Sequence, residues 1–168
     1  MKYYLKENFR LLYADGQLYN EEGDIVYTYE NANIILPRID LFKYGVNIGH
    51  IKKKFTWFLS RYDIIYGAEH MGSLQQQLKF IGSEMYIEDL GWTIKGDFLS
   101  MNYDIINEDN ELIATVDQEI FRLTQRFYVD IYDEDNEELI VLLVLAINQF
   151  DKDRKAAASS SAHVHSSH

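Results

Sequence analysis

Cysteine is absent from the chain, and with it go disulfide cross-links, thiol nucleophiles and thiolate metal ligands. A reducing compartment suits such a sequence. Proline occurs once, as Pro37, so no proline-rich linker divides the 168 residues, a length that fits one domain with a sizeable core. Basic residues are scarce: 16 Lys and Arg stand against 27 Asp and Glu, for a net charge of −11. That balance argues against a nucleic-acid partner, whose phosphates reward clustered Lys and Arg. It also argues against wholesale adhesion to an anionic membrane, which leaves only a local basic patch to be sought. The opening MKYYLKENFR lacks the apolar core of a signal peptide, so the expected setting is cytoplasmic. The glycine-containing stretches GDF and DLGW make no phosphate-cradling pattern.

Long apolar runs are missing too, save one. LIVLLVLAI, from Leu139 to Ile147, is nine unbroken apolar residues, about 14 Å as a helix and half of a bilayer's hydrocarbon thickness. Asn148 and Gln149 follow it, so extension toward Phe150 does not make a membrane span. Asp135 is placed to cap a helix with Glu138 three residues on, and Glu137 and Glu138 suit the positive end of its dipole. These signals predict a helix over about 136–150, apolar on every face and therefore buried. The stretch 153–168, ending KAAASSSAHVHSSH, is small, polar and repetitive, and is expected to be a disordered tail beyond a domain spanning 1–152.

Elsewhere the chain has a strand rhythm. Aromatics make up 14% of it, led by 13 Tyr, a bias that suits strands. QLYNEEGDIVYTYE reads as a hairpin turning at Glu22-Gly23-Asp24, and YDIINEDNELIATVDQEI as another turning at Glu108-Asp109-Asn110. A weak internal repeat underlies these. Phe55, Leu78 and Ile120 are each followed seven residues later by Tyr62, Met85 and Phe127, and with Phe98 the anchors are spaced 23, 20 and 22 residues apart. Extended back to Asn33 and Phe9, this makes six units of about 22 residues with two strands each. Twelve short strands hide their edges most directly by closing into a barrel. A barrel that wide needs something in its lumen, and the chain ends with an apolar helix.

LGWTIKGDFLSMNYDIINEDNELIATV, from Leu90 to Val116, resembles the LURP-one-related family of bacterial and plant proteins. Gly91-Trp92-x-x-x-Gly96-Asp97-Phe98 and the Tyr-x-Ile run after it carry the resemblance most specifically. MKYYLKE, YNEEGDIVY, IKKKF and the acidic loop before LIVLLVLAI fall in the family's order, over roughly residues 1 to 150, while Glu30 to Tyr44 around Pro37 departs from the pattern. The resemblance implies the tubby-like fold shared with tubby C-terminal domains and phospholipid scramblases, a twelve-stranded antiparallel barrel wrapped around a C-terminal hydrophobic helix.

Candidate sites follow, each beside its plainer reading. Lys52-Lys53-Lys54, with Arg61 beyond the next loop, is the one basic cluster. The resemblance to tubby domains implies that Lys52, Lys54 and Arg61 meet an anionic headgroup; a solubilising strand face explains them as well. Strand alternation puts Lys52 and Lys54 outside and points Lys53 inward beside Ile51 and Phe55. In the acidic loop, Asp133, Asp135 and Glu137 supply hard oxygen donors at alternate positions where the resemblance to scramblases suggests calcium. A calcium loop of the EF-hand kind wants Gly sixth and an acid twelfth, and Glu138 and Val144 stand there, so helix capping is the plainer account. His50 and His70 have no nucleophile or base near them in sequence. Trp57 and Phe58 are read as barrel-rim cover before a membrane or partner contact, and His163, His165 and His168 as tail rather than metal ligands. The expected protein is a non-enzymatic binding or scaffold module, monomeric and without a cofactor, that recognises a phospholipid headgroup or another anionic ligand. A structural or protein-interaction domain with no small-molecule site is the alternative, and a calcium-responsive scramblase-like protein the third.

Overall fold

The computed structural model describes residues 1–8, 15–33, 37–55, 60–75, 84–97, 100, 102–121 and 124–162. Among these residues twelve strands precede one α-helix. In chain order they are β1 (Lys2–Asn8), β2 (Gly16–Asn20), β3 (Ile25–Asn33), β4 (Arg38–Lys43), β5 (Val46–Phe55) and β6 (Ser60–Tyr66). They continue with β7 (Glu69–Gln75), β8 (Glu84–Ile87), β9 (Trp92–Asp97), β10 (Asn102–Ile106), β11 (Leu112–Phe121) and β12 (Thr124–Ile131), and α1 is Glu137–Ala162. The 22-residue rhythm is the hairpin repeat of this array. β3 and β5 end on the anchors Asn33 and Phe55, β1, β9 and β11 end within one residue of Phe9, Phe98 and Ile120, and β7 ends three residues before Leu78.

All twelve strands form one antiparallel sheet in the order β7-β6-β5-β4-β3-β2-β1-β12-β11-β10-β9-β8. The non-local join is β1 with β12, which pair along seven residues from Lys2↔Asp130 to Asn8↔Thr124. The sheet thereby curls into a nearly closed barrel, as the strand count predicts. Its seam lies between β7 and β8, where Gly72 stands against Ile87 and Asp89.

Alternation sends one face of each strand inward. Tyr62, Ile64, Ile51, Leu41, Ile94 and Ile105 are fully buried and share one core with α1, whose residues Leu139 to Ile147 and Phe150 are buried as well. Burying a side chain of this size contributes about 1.5–3 kcal/mol, so a helix apolar all round is stable here without being a membrane span. No helix among the described residues is long and apolar enough to cross a membrane. Gly49 lets α1 come close to the wall: a Cβ there would lie 3.0 Å from Leu142 and 2.3 Å from the Ile65 carbonyl oxygen.

The helix starts at Glu137, close to the expected position, but its cap and its far end differ from the sequence expectation. The Ile140 N–H donates to the Asn136 carbonyl at 2.9 Å, which makes Asn136 the capping residue in place of Asp135. Asp133 turns the chain there, its carboxylate accepting from the Asn136 N–H at 3.3 Å. At the other end α1 runs on past Phe150 to Ala162, through residues assigned above to a disordered tail. Ala, Lys and Arg are strong helix formers, and a helix already nucleated by a packed core extends through them at little further entropic cost. His163, His165 and His168 lie outside the described residues.

Candidate functional site

The basic residues meet on the outer face of the β4–β6 sheet. In the antiparallel register Arg38 stands opposite Lys52, Lys52 opposite Asp63 and Lys54 opposite Arg61. Lys52 and Lys54 are exposed and Lys53 is turned inward, as alternation predicts. Lys52 has no carboxylate partner among the described residues. Arg38 is held by Asp40 at 2.8 Å. Desolvation and then the Arg38 guanidinium push the neighbouring His50 below the usual imidazole range, against the pull of Asp40.

Asp63 changes the character of this face. It points outward yet is only 3% exposed, because basic and polar side chains cover it. Lys54 Nζ lies 2.5 Å from its carboxylate and Arg61 Nε 3.2 Å. The Ser73 hydroxyl donates to it at 2.7 Å and accepts from Arg61 at 2.8 Å. Burial pushes the Asp63 carboxyl up, but the bonds from Lys54, Ser73 and Arg61 outweigh it and hold the group at about 2. Two of the three expected ligand residues therefore share an internal counter-ion, and Lys52 has no such partner among the described residues.

His70 Nε2 joins the cluster at 3.2 Å from Ser73 Oγ and 3.6 Å from Asp63. Serine, histidine and carboxylate together invite a catalytic reading, which the geometry refuses. A relay needs the hydroxyl to donate to the imidazole while the carboxylate orients the ring's other nitrogen. Here the hydroxyl donates to the carboxylate directly, and one ring nitrogen faces both partners. Sequence reasoning missed Arg38, Asp63 and Ser73, and it read His70 as isolated, whereas the fold brings it to Ser73. The signal for one of them was readable: in SRYDIIY, Arg61 and Asp63 are two apart and share a face.

The acidic loop is not drawn together. Glu137 turns into the barrel mouth, accepting from the Tyr3 hydroxyl at 2.7 Å and from the Tyr27 hydroxyl, with Lys43 Nζ at 3.3 Å. Burial raises the Glu137 carboxyl, and the Tyr27, Tyr3 and Lys43 contacts bring it below its ordinary value. Asp133 accepts from the Asn136 side chain at 2.8 Å, and Asp135 is exposed. Among the described residues no three His, Asp or Glu side chains converge as metal ligands. Trp57 and Phe58 lie outside the described residues. Between α1 and β3–β4, beside Asn148 and Gln149, the interior holds a void of about 10 Å³, too small for more than a water molecule.

The family model described as LURP-one-related matches residues 1–148. An X-ray structure of a protein from Arabidopsis thaliana superposes with a TM-score of 0.53 at 9% identity, covering 88% of this chain and 91% of that one. At that identity the likeness is one of fold alone. No curated protein matches the chain.

Proposed function

We propose that this chain, which belongs to the LURP-one-related family, is a non-enzymatic binding module that takes an anionic, phosphate-bearing group on its β4–β6 outer face. Lys52, Lys54 and Arg61 carry the site, and Arg38 extends it. The supporting observation is the concentration of four basic side chains on adjacent strands of a protein whose net charge is −11. Exposed lysines near a charged surface contribute only about 1 kcal/mol each, so binding rests on their combined field and is salt-dependent. Asp63 competes with the ligand for Lys54 and Arg61. The protein works in this reading as a cytoplasmic monomer, with its barrel as scaffold. No support arises for a calcium-responsive scramblase, since Glu137 is committed to Tyr3, Tyr27 and Lys43.

The internal pairing of Lys54 and Arg61 with Asp63 favours a second reading, a protein-interaction domain without a small-molecule site. Flotation with vesicles of neutral lipid, and with the same vesicles carrying a phosphoinositide, separates the two. Binding only to the anionic vesicles, abolished by Lys52→Glu with Lys54→Glu, supports the proposal. Calorimetry with inorganic phosphate tells whether the headgroup suffices without a membrane. Absence of binding, or binding indifferent to the charge reversal, removes the anionic reading.

A further inference from the structure

The barrel end at which α1 enters is built from the turns that follow the even-numbered strands. Among the described residues eight large apolar side chains stand exposed, and seven of them, Met1, Ile25, Tyr44, Val46, Tyr66, Leu112 and Tyr132, belong to this end. Backbone hydrogen bonds tie these turns to the neighbouring strands. Tyr44 N–H donates to the Val26 carbonyl at 3.0 Å, Gly67 N–H to Ile48 at 2.8 Å and Tyr132 N–H to Ile113 at 2.9 Å. The Tyr66 hydroxyl donates to Glu138 at the helix entrance, at 2.7 Å. A monomer gains nothing by gathering its exposed apolar side chains at one place, and such patches mark interaction surfaces.

Tyr44 makes the point most clearly. It sits at the tip of the β4–β5 turn with φ +49° ahead of Gly45 at φ +80°, a turn whose first position suits Asn or Gly. A tyrosine there carries backbone strain and is 72% exposed, and the fold recovers neither cost.

Charge specifies the occupant. Five of the described turns at this end, residues 20–25, 43–46, 66–69, 107–112 and 132–138, hold twelve carboxylates and one basic side chain, Lys43. Lys43 is already paired with Glu137 at 3.3 Å and Glu138 at 3.1 Å. The field is therefore strongly negative around the apolar crown. Anionic membranes and nucleic acids are repelled by it, whereas a segment with both cationic and apolar side chains matches both features. Tyrosine faces suit Lys and Arg in addition, through their ring quadrupoles.

We propose that this end of the barrel docks a basic amphipathic segment of a partner protein. Its Lys and Arg side chains meet the turn carboxylates, and its apolar side chains cover Ile25, Tyr44 and Val46. The proposal is independent of the anionic site on β4–β6, which lies on the barrel wall.

Fluorescence anisotropy of the full chain with a labelled peptide of Lys and Leu at helical spacing tests this, against an oligolysine of equal charge. The expected result is binding at least about tenfold tighter for the Lys/Leu peptide, equivalent to about 1.4 kcal/mol, and weakened by salt. Tyr44→Asn with Val46→Thr, chosen to keep the turn and the strand, should lose about tenfold. Glu134→Lys with Asp135→Lys, at exposed positions, should do the same through charge. Tyr86→Thr, which removes an exposed ring from β8 on the barrel wall, should retain affinity. Equal binding of oligolysine, an unaffected Tyr44/Val46 variant, or an equal loss in the Tyr86 variant overturns the proposal. So does self-association on sedimentation that Tyr44→Asn abolishes, since the occupant would then be a second copy of the chain.

Discussion

At its entrance α1 is held through Glu137, whose carboxylate takes hydrogen bonds from Tyr3 and Tyr27 and an ion pair from Lys43. About 24 Å further along its axis it is held through Asp153, which takes a hydrogen bond from Tyr62 and an ion pair from Lys53. In both places the lysine also stands over the tyrosine ring, at 5.4 Å for Lys43 and Tyr27 and 6.0 Å for Lys53 and Tyr62. The chemistry is the same, but the physical setting is not. Glu137 lies in the first turn, where the helix dipole favours an anion, and its donors come from three strands, β1, β3 and β4. Asp153 lies well inside the helix, beyond the reach of either terminus, with donors from β5 and β6 and Gln149 Nε2 at 3.4 Å on its own helix. Either end alone would let the apolar cylinder slide or rotate in its sleeve. A carboxylate at each end fixes its depth and rotation, which hydrophobic burial, being non-directional, does not.

The largest effect is expected between the two ends. Leu143 is fully buried, so Leu143→Asp places a carboxylate where no cation reaches it, at a cost of several kcal/mol. The domain should fail to fold by circular dichroism, whereas Leu143→Ala should fold with a loss of roughly 3 kcal/mol. A folded Leu143→Asp protein would mean that α1 is not the centre of the core.

Glu137→Leu and Asp153→Leu test the ends against each other by chemical denaturation. Glu137→Leu strands the hydroxyl of the fully buried Tyr27 and should lose about 3 kcal/mol. Asp153→Leu leaves Lys53, whose side chain is 19% exposed, able to reach water, and should lose about 1–2 kcal/mol. The opposite order would show that the entrance clamp is not the stronger one.

Outside the barrel, Asp63 is likewise held by basic neighbours. Its folded value of about 2 lies below the ordinary 3.8, so its stabilisation is present at neutral pH and is lost as pH falls from 3.8 through about 2. A depression of that size contributes roughly 2 kcal/mol, reduced by solvent screening at the half-exposed Lys54. Asp63→Asn should lower the urea midpoint at pH 7 and converge with the parent protein near pH 2. A constant gap across that range would contradict the pairing.

The smallest effect carries the opposite sign. The Tyr103 hydroxyl is buried with no partner, and desolvation pushes its pKa far up. Tyr103→Phe should stabilise by up to about 1 kcal/mol, because a buried hydroxyl without a bond is a net cost. Tyr27→Phe, which removes a bond to Glu137, should destabilise by a similar amount. Equal signs in the two thermal melts would defeat the distinction.

Much of this fold was legible because it depends on periods. The anchors near 22 residues mark the ends of the odd-numbered strands. YNEEGDIVY marks the β2–β3 turn, and the two-residue alternation of β5 turns Lys53 inward. The site was legible only in part. Lys52 and Lys54 share a face by alternation, but the neighbours Arg38 and Asp63 come from other strands, and the register that brings them there is set by turns and bulges such as that between Leu41 and Phe42. The run to Ala162 was misread because composition alone does not register a helix nucleated upstream.

What the amino-acid order determined by itself is the inventory: twelve strands from the recurrence of the anchor residues, and one helix too short in its apolar run to span a bilayer and too apolar to lie on a surface. These follow from local backbone geometry and from the hydrophobic effect, which act on neighbouring residues and on pattern. Only the tertiary structure decided which charges meet. That Lys53 finds Asp153, that Lys43 finds Glu137, and that Asp63 occupies Lys54 and Arg61 depend on helix depth and strand register. Coulomb and hydrogen-bond energies fall off over a few ångströms, and only the packed barrel sets distances on that scale.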